Sequence, residues 1–172
     1  MLTNPQWRLA FVTCAALVLA GPSAQSQSGP AARLKARLQG LQEVPAVSTT
    51  ARGDFSGVVN SDGTEVAFKL SYDHLEGVVQ VAHIHFGQPN VNGGVMVFLC
   101  GGGGKPACPP SPATVEGTFT GADVVGPAGQ GITTGEFTEV LRAIGGGNSY
   151  ANVHSDKFPG GEMRGQISVD IN

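Results

Sequence analysis

Glu65-Val66-Ala67-Phe68-Lys69-Leu70-Ser71-Tyr72 alternates its large apolar residues with smaller or polar ones without a break. Successive side chains of a strand point to opposite faces, so Val66, Phe68, Leu70 and Tyr72 line a buried face and their neighbours the other. The same reading extends outward along the chain. Leu34, Ala36 and Leu38 alternate with Lys35 and Arg37, Phe55 to Val59 forms a second strand, and Asn60-Ser61-Asp62-Gly63 is a turn. Val78 to Phe86 and Val95 to Cys100 follow, separated by the turn-rich Gly87 to Gly94, and then Val115 to Thr120. A final hairpin runs from Ser149 to His154, through Asp156, Pro159, Gly160 and Gly161, into Glu162 to Ile171. Many short strands at this spacing predict an all-β domain, an antiparallel Greek-key β-sandwich or barrel. One short helix interrupts them. Phe137, Val140, Leu141 and Ile144 fall at i, i+3, i+4 and i+7, with Thr133 and Glu136 as a capping box and Gly145 as a left-handed terminus.

Composition agrees with that reading. The chain has 172 residues with 26 Gly and 11 Pro, scattered without a period, which suits turns between strands. Only 13% of residues are charged and the formal net charge is −3, with no basic cluster, so nucleic acid is excluded as a partner. The length suits one domain with its own core. At the N-terminus Arg8 precedes the apolar run Leu9 to Ala20 and then Gly21-Pro22-Ser23-Ala24. The run is short for a membrane span and reads as a secretory signal peptide over 1–26, cleaved near Ala24 or Ser26. An uncleaved anchor is the alternative. Phe11, Val12 and Thr13 before Cys14 are not the small residues that lipoprotein processing wants. A linker over 27–32 and a β-domain over 33–172 complete the organisation, giving an exported protein, periplasmic or extracellular, with no membrane span after cleavage.

Cys100 and Cys108 flank Gly-Gly-Gly-Gly-Lys-Pro-Ala and are expected to pair in an oxidising compartment. Closing so short a loop contributes roughly 2.5 kcal/mol in the chain-entropy model, so the bond pins a local excursion. The spacing is wrong for a zinc knuckle.

In Val81-Ala82-His83-Ile84-His85-Phe86 the two histidines share one strand face, and Ala82, Ile84 and Phe86 share the core face. On the last hairpin His154 and Arg164 fall on one side. An H-x-H on a strand is a two-point imidazole clamp, and His154 would complete a three-histidine site suited to copper or zinc. The site is expected to lie under the loops Gln88 to Gly94 and Ser155 to Gly161. Surface or hydrogen-bonding histidines without a metal are the bland alternative. His74 ends a strand and reads as structural, while Glu43 and Glu162 read as braces for Arg164 or a turn. Nucleophile elbows, P-loop spacing and glycosidase-type carboxylate pairs are missing from the sequence.

The ordered set Leu38 to Val47 (LQGLQEVPAV), Ala82 to Gly87 (AHIHFG) and Tyr150 to Ile167 (YANVHSDKFPGGEMRGQI) resembles the CHRD domain, named after the repeats of chordin, over roughly Ala36 to Val169. That resemblance implies an immunoglobulin-like or superoxide-dismutase-like β-fold in an exported protein. More distantly, His83-Ile84-His85-Phe86-Gly87 is similar to the copper strand of the copper-zinc superoxide dismutases. The same resemblance makes His154 a further copper ligand and Arg164 an anion guide. Gln88 to Gly94 carries no His for a zinc subsite, and Cys100–Cys108 does not match that family's intersheet disulfide. Three functions fit the sequence: a single-copper protein with dismutase-like turnover of a small anion such as superoxide, a copper carrier without turnover, or a non-enzymatic extracellular adhesion module. No protein partner or oligomeric state is legible.

Overall fold

The computed structural model describes Met1 and residues 32–170; the expected signal peptide, Cys14 and most of the linker lie outside them. Nine strands are seen among the described residues: β1 (Ala32–Gln39), β2 (Arg52–Val59), β3 (Glu65–Asp73), β4 (Val79–Phe86), β5 (Gly94–Cys100), β6 (Ala113–Thr120), β7 (Ser149–Ser155), β8 (Met163–Gln166) and β9 (Ser168–Asp170). A single α-helix among the described residues, α1 (Phe137–Gly145), precedes β7. Every strand pairing is antiparallel, in the order β5-β4-β7-β8-β1-β2-β3-β6 with β9 beside β1. A lone bridge from Val97 on β5 to Val124, just past β6, nearly closes the sheet on itself. β3 therefore lies beside β6 and β6 approaches β5, which pairs with β4, the order 3-6-5-4 of a Greek key. No described helix is long and apolar enough to cross a membrane.

The alternation in β3 does what it predicts. Val66, Phe68, Leu70 and Tyr72 are buried, and the register sets Phe55 opposite Leu70 and Val59 opposite Val66. Asn60 fixes that hairpin, its Oδ1 accepting from the backbone N–H of Thr64 at 2.8 Å and Glu65 at 3.2 Å. Phe55, Phe68, Phe119 and Phe137 form a continuous aromatic chain with centroids 6.5, 6.1 and 6.0 Å apart. Each such buried ring contributes about 1.5–3 kcal/mol, so this chain ties α1 to the sheet.

Local expectations shift in five places. β1 starts at Ala32, inside the expected linker, and β4 starts at Val79, leaving Val78 exposed. α1 closes two residues later than expected, because Gly147 (φ 69) and not Gly145 is left-handed. Gly147 N–H donates to Ile144 O and Asn148 N–H to Ala143 O, the paired bonds of a Schellman stop. Of the capping box only the Glu136 half forms, its Oε2 accepting from Thr133 N–H at 2.6 Å. The last strand is not continuous: it breaks at buried Ile167, with β8 on β7 and β1, and β9 on β1 alone. Gly165 permits that crossing, since a Cβ there would lie 2.3 Å from Arg37 O.

Candidate metal centre

β4 and β7 are neighbours, with Val81 opposite His154, His83 opposite Asn152 and His85 opposite Tyr150. Paired residues share a face, so the three histidines gather on the side of the sheet away from Ala82, Ile84, Ala151 and Val153. Ring centroids are 4.4 Å apart for His83–His85 and 4.5 Å for His83–His154. The face is not open: His83 is 6% and His85 8% exposed, and His154 is half-buried.

Two of the rings have an assigned tautomer. His85 Nδ1 lies 2.8 Å from Gly93 O and His154 Nδ1 2.9 Å from Pro159 O. A carbonyl only accepts, so each Nδ1 carries the proton and each Nε2 keeps a lone pair. His85 Nε2, His154 Nε2 and His83 Nδ1 are all buried without a hydrogen-bond partner. One nitrogen from each ring lies within 4.8 Å of the other two. A metal about 2 Å from each nitrogen spans pairs up to about 4 Å, so the widest pair closes by at most about 0.8 Å on binding. Burial holds the rings neutral. It pushes His83 down to about 2, helped by His85 and His154, and His85 down to about 4 against the Gly93 bond. Burial likewise lowers His154, opposed by its Pro159 bond. Neutral, desolvated, unpartnered imidazoles are ready metal ligands.

Aromatic rings wall the cluster. Phe98 meets His83 edge-on at 5.4 Å, and Tyr150 lies flat on His85 at 4.6 Å. Arg164 stacks on Tyr150, its Cζ 4.0 Å from the ring centroid. It is 2% exposed, and its Nη1 donates to Val91 O at 3.2 Å and Asn92 Oδ1 at 3.1 Å. With β7 between β4 and β8, the Tyr150 ring separates this guanidinium from His85. Arg164 thus pins the β4–β5 loop, and its charge reaches the imidazoles through an aromatic ring. Alanine at 164 should cost metal-free protein about 2–3 kcal/mol in urea unfolding, the range for charge-assisted bonds. A cost under about 0.5 kcal/mol would show that the loop stands without it.

As expected, the β4–β5 and β7–β8 loops cover the site. A third cover, the loop between β1 and β2, was not legible. From it Glu43, 7% exposed, accepts from Asn152 Nδ2 at 2.6 Å, while Val44 O accepts from Asn92 Nδ2 at 2.8 Å. Burial pushes the Glu43 carboxyl up to about 7, against the bonds and charge of Asn152 and Arg164. Glu162 is fully buried and takes the second of its expected roles, bracing the β3–β4 turn by accepting from Glu76 N–H (2.7 Å) and from Thr49 Oγ1 (2.9 Å), and not Arg164. His74 lies apart on the surface, its Nδ1 3.0 Å from Asp73. Tyr150 and Asn152 share His154's strand parity, the one sequence signal that would have found them. Cys100 and Cys108 are bonded, with Cα atoms 5.0 Å apart.

No curated protein and no solved structure matches the chain. The CHRD domain model matches residues 34–167, spanning β1 to the break at Ile167 and all three histidines, and the chain belongs to the CHRD family.

Proposed function

We propose that this CHRD-domain protein is exported and binds a single copper ion through His83 Nδ1, His85 Nε2 and His154 Nε2. One observation carries the reading: the three rings that bring a nitrogen within 4.8 Å of one another each keep a buried nitrogen with no hydrogen-bond partner. Burying such groups unpaired costs about 1–3 kcal/mol each, a cost that a metal ion offsets. An all-imidazole set suits copper, which heads the divalent affinity order. Export over a signal peptide at 1–26 accords with the Cys100–Cys108 disulfide, since such bonds persist in oxidising compartments. Metal-free mature protein titrated with Cu(II) should take up one ion per chain and show nitrogen superhyperfine structure in its electron paramagnetic resonance spectrum. Uptake unchanged in the triple His→Ala protein would overturn the reading.

A dismutase-like activity deepens this reading. Three protein ligands leave a coordination position for a small anion such as superoxide, and bound copper supplies one-electron redox chemistry there. Arg164 contributes positive charge behind Tyr150. Copper-loaded protein should consume superoxide, more slowly in Arg164→Gln at equal copper content. Copper-loaded protein that leaves superoxide untouched would instead be a carrier without turnover.

A further inference from the structure

Within the Gly101 to Gly104 run, Gly102 and Gly103 pack against Phe98, the ring that stands edge-on to His83. Cys100 ends β5, and the disulfide folds the following residues back so that Gly101 N–H donates to Pro106 O at 2.7 Å and Lys105 N–H to Gly102 O at 3.0 Å. Lys105 anchors the loop across the seam between β5 and β6, with its Nζ 2.7 Å from Asp123 and donating to Thr118 O at 3.0 Å. The glycines then press on Phe98. A Cβ at Gly102 would lie 2.6 Å from Phe98 Cε1, and one at Gly103 2.5 Å from Phe98 Cδ2. No larger residue fits there without moving the ring. Phe98 is the β5 partner of His83 in the ladder, and its ring stands edge-on to that imidazole. Disulfide, loop, ring and ligand are thus four successive layers.

We propose that the disulfide-closed Gly101 to Ala107 loop is a clasp that seats Phe98 against His83, and that the state of the disulfide sets how fast the three-histidine site exchanges its ion. The exchange half rests on the copper reading; the clasp itself does not. Opening it is a two-electron reduction. An incoming dithiol breaks the Cys100–Cys108 S–S bond and becomes a disulfide, and its two protons pass to the two cysteine thiols. The loop then loses its closure, and local opening exposes Phe98 and His83 without global unfolding.

The test uses the full mature chain, its Phe98→Ala and Cys100→Ser/Cys108→Ser variants, and the combination of both. In metal-free protein, carbethoxylation of His83 by diethyl pyrocarbonate is followed by peptide mass, with His74, 56% exposed in its side chain, as the internal reference. In copper-loaded protein, transfer of Cu(II) to EDTA is followed by stopped flow. Both variants should label His83 and release copper about tenfold faster, with His74 unchanged. The combination should be no faster than Phe98→Ala alone, because both act through one ring. Gly102→Val, which keeps the disulfide and displaces Phe98, should behave alike and stands in if the serine variant fails to fold. His83 labelling within about twofold of wild type in all variants overturns the clasp. Faster labelling in a protein that takes up no copper overturns the exchange clause together with the copper reading and leaves the clasp standing.

Discussion

Alanine at His83, His85 or His154 should lower copper affinity more than about 100-fold, beyond the 10–100-fold loss typical of outer-shell partners. Each imidazole supplies one of three donors, and no other His, Cys, Asp or Glu of the described residues joins the group. Stability should move the opposite way. His83 Nδ1 is buried and unpartnered, and leaving such a group unsatisfied costs about 1–3 kcal/mol. His83→Leu fills similar space without that atom, so metal-free protein should gain about 1–2 kcal/mol while losing copper binding. Wild type should instead gain about 4 kcal/mol with free copper at a thousand times its dissociation constant. Thermal unfolding with and without Cu(II) reads both effects. A residue kept at a cost to the metal-free fold is kept for its ligand. A copper-induced shift surviving in all three alanine variants would place the ion elsewhere, and a destabilised His83→Leu protein would make that histidine a packing element.

The parts of this molecule that the sequence made legible are those set by strand parity. Alternation in Glu65 to Tyr72 identified β3, and H-x-H with the later His154 named the cluster, because parity alone decides which side chains share a face. Parity does not say which strands are neighbours. The contact of β4 with β7 joins residues about seventy positions apart and follows from Greek-key closure, which no local pattern encodes. Nor does it say what covers a face. Histidines opposite a core face read as outward-pointing; the two loops that follow them were expected as covers, but the β1–β2 loop, Tyr150 and Phe98 come from other segments. Glu162 shows the same limit. The sequence leaves it bracing Arg164 or a turn, and the carboxylate takes the turn, at Glu76 N–H between β3 and β4, together with Thr49 Oγ1. The glycine run read only as part of a short disulfide loop. Its contact with Phe98 gives it a packing reason that composition could not supply.

Glu43→Gln should leave the metal-free protein equally stable at pH 4.5 and make it more stable at pH 8. Glu43 titrates near 7 in the folded chain, against 4.5 for an ordinary glutamate, chiefly because it is buried. Between those values the folded protein holds a proton that the unfolded chain has released, so stability falls as pH rises from about 4.5 to about 7. The gap amounts to about 3 kcal/mol, fully expressed above pH 7. Glutamine keeps the oxygen that accepts from Asn152 Nδ2 and cannot ionise, so the variant should be more stable by up to about 3 kcal/mol at pH 8 and equal at pH 4.5. The histidines act with the opposite sign. Their folded values lie below 6.5, so protons bind the unfolded chain first and stability falls as pH drops beneath about 6.5. The two trends overlap between about pH 4.5 and 6.5, where three histidines outweigh one carboxyl, so wild type should lose stability toward acid and change little above pH 7. The variant should keep the acid limb, rise more steeply with pH, and pull ahead of wild type up to about pH 7. Urea unfolding of both metal-free proteins from pH 4.5 to 8 measures the acid limb and the difference between them in one series. Equal stabilities at pH 8 would mean that Glu43 ionises in the fold at no cost, with Asn152 and Arg164 offsetting its burial in full.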